Sequence, residues 1–172
     1  VRESGHRFRQ RKPDGRGGWE YNVKGVRTVP YRLPELRARP DDWVYIPEGC
    51  KDVNSLHSVG LLATCNSGGA GKWRAEHSEH LRGRDVVILP DNDAPGRDHA
   101  KKVATALKGI ARSVRIVEIP GLPNKGDVSD WLAAGGTAGE LLAMARTAPV
   151  QAELEAEPAQ AGEGRLRVVA MS

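Results

Sequence analysis

From residue 42 onward the hydrophobic positions alternate between two patterns, which predicts strands alternating with helices. Short apolar runs typical of strands lie at residues 43–46, 61–64, 85–89 and 114–119. Apolar residues at helical spacing occupy residues 51–59, 75–81 and 95–110, and shorter helices are predicted at 129–134 and 139–147. Strands that alternate with helices favour an α/β fold, with a parallel sheet and right-handed crossovers.

The third predicted strand is the most informative, because its apolar run from Val86 to Leu89 leads directly to Asp91 and Asp93. Four consecutive apolar residues indicate a strand buried on both faces, as in a parallel sheet. Its carboxyl end lies at the edge where α/β folds bind ligands. Two carboxylates buried there repel each other, and a hard cation such as Mg²⁺, or Mn²⁺, would relieve the repulsion. The alternative is a solvated Asp-Asn-Asp turn.

Acidic residues also follow other predicted strands. Glu48 ends the first strand, and if the sheet has the order 2-1-3-4 it meets the aspartates at the topological switch point. Asp52 lies four residues later and could turn toward the same edge, while Asp127 and Asp130 follow the fourth strand. Any one of these acids could be a helix cap or a turn residue. Together they favour a magnesium site that acts on phosphate esters.

The ends of the chain differ from this core. Residues 1–40 are strongly basic, and strand-like alternation on both sides of a Pro-Asp-Gly turn predicts a small β-hairpin. Aromatic residues among its cations suit single-stranded nucleic acid, with Arg7, Arg9, Arg11 and Lys12 as phosphate contacts; alternatively, the aromatics only cover the core. Residues 41–147 form the predicted domain. Residues 148–172 are predicted to be a disordered linker toward a missing C-terminal domain, with a further strand at 166–170.

Composition limits the partners, metal sites and cellular location that can be expected for the chain. A net charge of +4 and a pI near 9.3 permit a polyanionic partner. Cys50 and Cys65 show no metal-ligand spacing and do not support a disulfide framework, and the five histidines show no metal-ligand pattern. No apolar run approaches a membrane span. A cytoplasmic protein with no membrane contact and no zinc is therefore expected, and a chain that begins with Val is expected to be a segment of a longer protein.

Three stretches carry a resemblance to a known family. The segment from Val44 to Asp52, the Asp91-Asn92-Asp93 motif and the segment from Gly126 to Leu132 resemble the Toprim domain of bacterial-type primases, topoisomerases and nucleases. The resemblance covers about residues 42–135, and the sequence around these motifs is most similar to primase-like proteins of phages and plasmids. It implies a Rossmann-like, four-stranded parallel sheet flanked by helices. It also implies that Glu48 is the acid/base or metal-organising residue, and that Asp91 and Asp93 bind the metal with help from Asp127.

The resemblance implies a function as well. It suggests Mg²⁺-dependent nucleotidyl transfer from NTPs, as in primer synthesis on single-stranded DNA, by a primase that can be fused to or associated with a RecA-like helicase. The alternatives are a metal-dependent Toprim nuclease and a non-catalytic DNA-binding module that positions a fused helicase. Under the primase hypothesis, Asp52 and Asp130 are secondary acids, and Lys51, Lys72 and Arg97 contact nucleotide or DNA. The glycine-rich loop before Trp73 lacks the spacing of a Walker A motif.

Overall fold

The computed structural model describes residues 10–22, 24–66, 68–69 and 71–151 of the chain. Arg7, Arg9, the strand predicted at 166–170 and most of the predicted linker lie outside the described residues. The secondary structure runs in the order β1 (Lys12–Pro13), β2 (Trp19–Glu20), α1 (Leu33–Ala38), β3 (Val44–Pro47), α2 (Cys50–Ser58), α3 (Ala75–Glu79), β4 (Asp85–Leu89), α4 (Ala94–Leu107), β5 (Ser113–Ile116), α5 (Val128–Ala133) and α6 (Ala138–Thr147).

A parallel sheet of three strands, in the order β3-β4-β5, forms the centre of the fold. Val44 pairs with Val86 and Val86 with Val114, so β4 lies in the middle with a partner on each side. All four residues of β3 are buried, as are the last four of β4, which explains their continuous apolar runs. The predicted α/β fold, with a parallel sheet between helices, is confirmed.

The prediction of a second strand at residues 61–64 is wrong, because this segment is not a strand of the sheet. Its position beside β3 is as predicted, but it makes only one parallel bridge, between Ala63 and Tyr45. Beyond that bridge its hydrogen bonds go elsewhere: Thr64 Oγ1 donates to the carbonyl of Tyr31 at 2.6 Å, and the carbonyl of Cys65 accepts from the Tyr31 N–H at 2.9 Å. The sheet therefore has three strands rather than four, because after the single bridge the backbone carbonyl of Cys65 pairs with the segment before α1.

Side chains of the sheet alternate between two hydrophobic cores, one on each face. Val44, Ile46, Val86 and Ile88 face a core completed by α1 and α4. Tyr45, Val87 and Leu89 face the other core, which is completed by α2, α5 and α6. The period of two along buried strands thus produces three layers, with helices on both faces of the sheet.

Helix α1 was not predicted from the sequence, and Arg84 holds it against the sheet. The helix has Pro34 in its first turn and buries Leu36. The Arg84 guanidinium donates to the carbonyls of Leu36, Arg39 and Asp42 at 3.1, 2.6 and 3.0 Å. These bonds satisfy carbonyls at the end of a short helix and tie it to the start of β4.

Both ends of the described chain bear on the predicted boundaries. An antiparallel pair of β1 and β2 confirms the hairpin, and Asp14 Oδ1 closes its turn by accepting from the N–H groups of Arg16 and Gly18. Trp19 is 53% exposed, so its ring does not cover the core as the alternative proposed. At the other end, Val150, three residues after the boundary predicted at residue 147, makes an antiparallel bridge to Arg115 in β5.

None of the helices in the described part of the chain combines the length and apolar character needed to cross a bilayer.

Candidate active site at the carboxyl ends of the strands

Two carboxyl groups meet where β3 and β4 end side by side. Pro47 pairs with Leu89, so Glu48 follows one strand directly and Asp91 follows its neighbour after one more residue. The two carboxyl groups are within hydrogen-bonding reach, and burial together with the neighbouring Glu48 raises the pKa of Asp91 to about 8. Glu48 Oε1 is buried and has no hydrogen-bond partner among the described residues.

Asp93 takes a different role, as the N-cap of α4. Its Oδ1 accepts a hydrogen bond from the Gly96 N–H at 2.8 Å. Helix α4 also approaches Asp91 closely, because a Cβ added at Gly96 would lie 2.6 Å from the Asp91 carbonyl oxygen. The glycine therefore lets the first turn of the helix pack directly on the backbone of the acidic motif.

Asn92 connects the acidic motif to the loop before α5, a role that sequence analysis missed. Its side-chain amide donates to the carbonyls of Leu122 and Pro123 at 2.7 and 3.1 Å. Its backbone N–H donates to the Gly126 carbonyl at 2.9 Å. In the sequence, only its position between two aspartates points to Asn92. Its hydrogen-bond partners lie about thirty residues away, so no local pattern identifies them.

Asp127 and Lys51 form an ion pair beside these acids. Lys51 Nζ lies 2.6 Å from Asp127 Oδ2, and the lysine side chain is 64% exposed. Burial acts to raise the pKa of Asp127, but the Lys51 ammonium and backbone N–H groups outweigh it, so the pKa lies below its ordinary value. Asp127 is also the N-cap of α5, where it forms a capping box with Asp130.

Asp52 is buried in the first turn of α2 and contacts α5. Its Oδ1 accepts a hydrogen bond from the Ser129 hydroxyl, which joins the two helices. Burial, reinforced by the charge of Asp127, raises the pKa of Asp52. Asp52 and Asp127 both also raise the pKa of Asp91. The charges of Glu48, Asp52 and Asp127 thus all act on Asp91.

The predicted cationic contacts are divided between the site and the hairpin. Arg97 Nη1 donates to Asn92 Oδ1 at 3.2 Å, and Lys72 is exposed in the glycine-rich loop. In the hairpin, the Arg11 guanidinium lies 4.1 Å from the centroid of the Trp19 ring. Lys12 pairs with Glu20 across the two strands at 3.4 Å.

His99 is a buried residue near this site that the sequence did not identify. It is 6% exposed, and its Nδ1 accepts a hydrogen bond from the Gly71 N–H at 3.0 Å. Burial lowers the pKa of His99, although the nearby charge of Glu48 acts to raise it. His99 and Gly71 line a cavity of about 400 Å³ beside the start of α4. The imidazole therefore connects the glycine-rich loop to the helix that follows Asp93.

Comparison with known proteins identifies the family. The family model described as Toprim-like matches residues 45–132, which is more than half of the chain. The chain belongs to the Toprim-like family. A UPF0292 protein of Archaeoglobus fulgidus is 35% identical over 77 residues, covering 44% of this chain and 60% of that protein. The match thus spans less than two thirds of that relative.

Solved structures show the same fold for this Toprim-like domain. The DnaG catalytic core is similar with a TM-score of 0.58 and 24% identity, over 76% of this chain and 42% of that chain. The structure of the DnaG primase catalytic domain bound to ssDNA is similar with a TM-score of 0.54 and 22% identity, over 67% and 38% of the two chains. At these identities the similarity establishes the fold.

The carboxyl groups of the Toprim-like site have the chemistry that a hard divalent cation requires. Glu48 offers a buried, unpartnered carboxylate oxygen, and its repulsion with Asp91 would be relieved by a cation. Within the described residues, no three Asp, Glu, His or Cys side chains converge into a metal-binding group. Mg²⁺ is commonly held by one or two carboxylates together with waters and substrate phosphates. The Glu48–Asp91 pair fits that mode of binding better than a cage made only of protein ligands.

Proposed function

We propose that this chain is the Toprim part of a primase, which extends a primer by Mg²⁺-dependent nucleotidyl transfer from NTPs on single-stranded DNA. The observation that carries the proposal is the Glu48–Asp91 carboxyl pair at the carboxyl ends of adjacent parallel strands. Ligands of open α/β sheets bind at this edge. Membership of the Toprim-like family and the fold shared with the DnaG catalytic core support the same reaction.

Glu48 and Asp91 are the residues that would hold the cation, and Asp93 and Asp127 stand beside them. A bound Mg²⁺ supplies charge stabilisation to the phosphates during nucleotidyl transfer. Because Asp93 Oδ1 and Asp127 Oδ1 accept hydrogen bonds from helix N-termini, both side chains are held in fixed positions near the pair. The charge of Asp93 adds to the negative field that attracts a cation, whereas the Lys51 ammonium partly offsets the charge of Asp127.

Glu48 is also the candidate proton acceptor. Its Oε1 has no hydrogen-bond partner within the described chain, so no existing bond competes with the proton of an attacking 3′-hydroxyl. Lys51 completes the arrangement on the solvent side. Asp127 orients its exposed ammonium, which carries three N–H donors and so has capacity for a phosphate oxygen as well.

The experiment compares Glu48→Gln, Asp91→Asn and Asp93→Asn in primer synthesis on single-stranded DNA with NTPs and Mg²⁺. Glu48→Gln removes the proton acceptor and should lower the rate by about 10²–10⁴-fold, the usual contribution of general acid–base catalysis. Asp91→Asn should also lower it strongly, because the metals carry much of the charge stabilisation in phosphoryl transfer. Glu79→Gln, on the exposed side of α3, is the matched control and should keep full activity.

Asp93→Asn separates a contribution of Asp93 to cation binding from its role as the N-cap of α4. Asparagine caps a helix about as well as aspartate, so the melting temperature should be retained. If Asp93 contributes charge to a cation, activity should still fall, whereas a residue that is only a cap would leave activity intact.

Two outcomes of the same assay would contradict the proposal. Shortening of the DNA without NTPs, abolished in the same variants, would identify a nuclease. DNA binding without Mg²⁺, together with unchanged behaviour of all three variants, would identify a non-catalytic module that positions a helicase.

A further inference from the structure

The two cysteines of the chain are neighbours in the fold. Cys50 and Cys65 are fifteen residues apart in sequence, and their Sγ atoms lie 3.5 Å from each other. Cys50 is the exposed first residue of α2, whereas Cys65 is fully buried at the end of the segment that bridges to β3. Both are free thiols. The sequence alone gives no support for a disulfide, because their spacing resembles no known framework.

We propose that Cys50 and Cys65 form a redox-active thiol pair, which a small disulfide such as oxidised glutathione converts into an intramolecular disulfide. The contact between the two sulfur atoms carries this inference. A disulfide needs an S–S distance of about 2.05 Å, so a modest approach of the sulfurs closes the bond.

The order of the reaction follows from exposure. The Cys50 thiolate attacks the small disulfide, forms a mixed disulfide and releases one small thiol. The Cys65 sulfur then attacks Cys50 Sγ, and its proton passes to the second small thiolate as that group leaves. The protein loses two protons and two electrons, and the small disulfide becomes two thiols. Burial raises the pKa of the Cys65 thiol, which makes Cys65 the second and not the first nucleophile.

Formation of the bond would move the start of α2 more than it moves Cys65. The Cys65 backbone is held by the hydrogen bond from the Tyr31 N–H at 2.9 Å. Cys50 follows directly after Gly49, the N-cap of α2, and lies two residues from Glu48. A bond between the sulfurs would therefore shift the turn that carries Glu48. An effect on primer synthesis rests on the proposed function, whereas formation of the bond does not.

The test measures the bond itself by mass spectrometry. The protein is incubated in buffers of oxidised and reduced glutathione, remaining thiols are alkylated, and the protein is digested with trypsin without reduction. Cleavage after Lys51 places the cysteines on separate peptides, residues 38–51 and 52–72, because Arg39 precedes Pro40. The expected product is a linked pair of these peptides, which dithiothreitol separates.

Cys50→Ser keeps the buried cysteine and provides the control, since its substitution is at an exposed position. No linked peptide and no modification of Cys65 should form in this variant. Glutathione that remains on Cys50 of the wild-type protein, or a disulfide between two copies through Cys50, would overturn the proposal.

An activity measurement on the same samples tests the connection to Glu48. Oxidation should lower primer synthesis of the wild type reversibly and should not change that of Cys50→Ser. Full activity of the cross-linked protein would refute the connection to Glu48. Inactivity of the reduced protein would instead count against the proposed function, and the mass measurement would be unaffected.

Discussion

At the scale of single residues, the Glu48–Asp91 pair lowers the stability of the fold and provides carboxylate oxygens for a cation. Burial and the proximity of Glu48 keep Asp91 protonated to about pH 8, far above the ordinary value of 3.8. Strongly raised carboxyl pKa values cluster at functional sites. Two half-buried carboxyl groups that share an environment without a cation lower the stability of the protein where both would be charged.

This arrangement predicts how stability depends on pH. Between the unfolded pKa of 3.8 and the folded pKa of about 8, the native state keeps the Asp91 proton and the unfolded chain loses it. The contribution of Asp91 to the free energy of unfolding therefore falls as the pH rises through this range. Asp91→Asn removes the titration. In EDTA, the melting temperature of Asp91→Asn relative to that of the wild type should therefore rise between about pH 5 and pH 8.

Asp41→Asn, a change at an exposed aspartate, shows whether loss of one negative charge alone has the same effect. Addition of Mg²⁺ near pH 8 should raise the melting temperature of the wild type and not that of Asp91→Asn, since a ligand of the native state stabilises it. A difference between the two proteins that stays constant with pH would show that Asp91 is charged in the native state.

Some of these residues could be predicted from the sequence, and others could not. Glu48, Asp52, Asp91 and Asp127 could be placed at one edge because strand ends of a parallel sheet coincide. The contact of Cys50 with Cys65 and the burial of His99 could not be predicted, because each depends on how loops of different elements pack. The side-chain role of Asp93 was ambiguous, since a cap and a ligand have the same sequence signature.

At the scale of elements, the start of α4 determines where Asp91 lies. Gly96 packs its Cα against the backbone of Asp91, and Asp93 caps the same turn. The acidic motif is thus fixed by backbone contacts as well as by side chains. A larger residue at position 96 must displace backbone atoms, which move less readily than the end of a flexible side chain.

Gly96→Ala tests this contact. Alanine is the better helix former by about 0.8–1.0 kcal/mol, but its Cβ would lie 2.6 Å from the Asp91 carbonyl oxygen. Overpacking of this kind costs about 1–3 kcal/mol, so the variant should have a lower free energy of unfolding in urea.

Gly139→Ala in α6 is the matched control. Its added Cβ would find Thr137 Oγ1 no closer than 4.0 Å, so this variant should be more stable by up to about 1 kcal/mol. A gain in stability of Gly96→Ala as large as that of Gly139→Ala would mean that α4 does not press on the backbone of Asp91.

Elements with long periodic patterns were predictable, and short edge elements were not. Helix α4 and the central strand β4 fall close to their predicted positions, because a buried face imposes a regular pattern over many residues. The segment at 61–64 has the apolar composition of a strand, yet hydrogen bonds with Tyr31 end its pairing. Helix α1 has only six residues, too few for helical periodicity to stand out.

At the scale of the whole molecule, the three-layered domain and the hairpin have different surfaces. The sheet and helices enclose aliphatic cores on both faces. The hairpin instead exposes Trp19 and Tyr21, and places the Arg11 guanidinium over the Trp19 ring. Exposed aromatic rings beside cations are typical of surfaces that stack bases and contact phosphates of a single strand.

Replacement of Arg11 and Lys12 by alanine tests whether this hairpin binds single-stranded DNA. For a single strand, each cation that binds a phosphate adds about 0.7 to the log–log dependence of the binding constant on salt. The double variant should therefore bind more weakly at low salt, and its slope should be flatter by about 1.4. Fluorescence anisotropy of a labelled oligonucleotide over a range of salt concentrations measures both quantities.

The control must remove the same charge from a different surface. Arg82 and Lys101 are exposed on the domain itself, and their joint replacement by alanine lowers the net charge by the same amount. If the hairpin is the binding surface, the control should shift affinity only slightly and keep the wild-type slope, because screened charges beyond a Debye length contribute little. Equal slopes for the two double variants would mean that DNA responds to the net charge of the chain and does not contact Arg11 and Lys12.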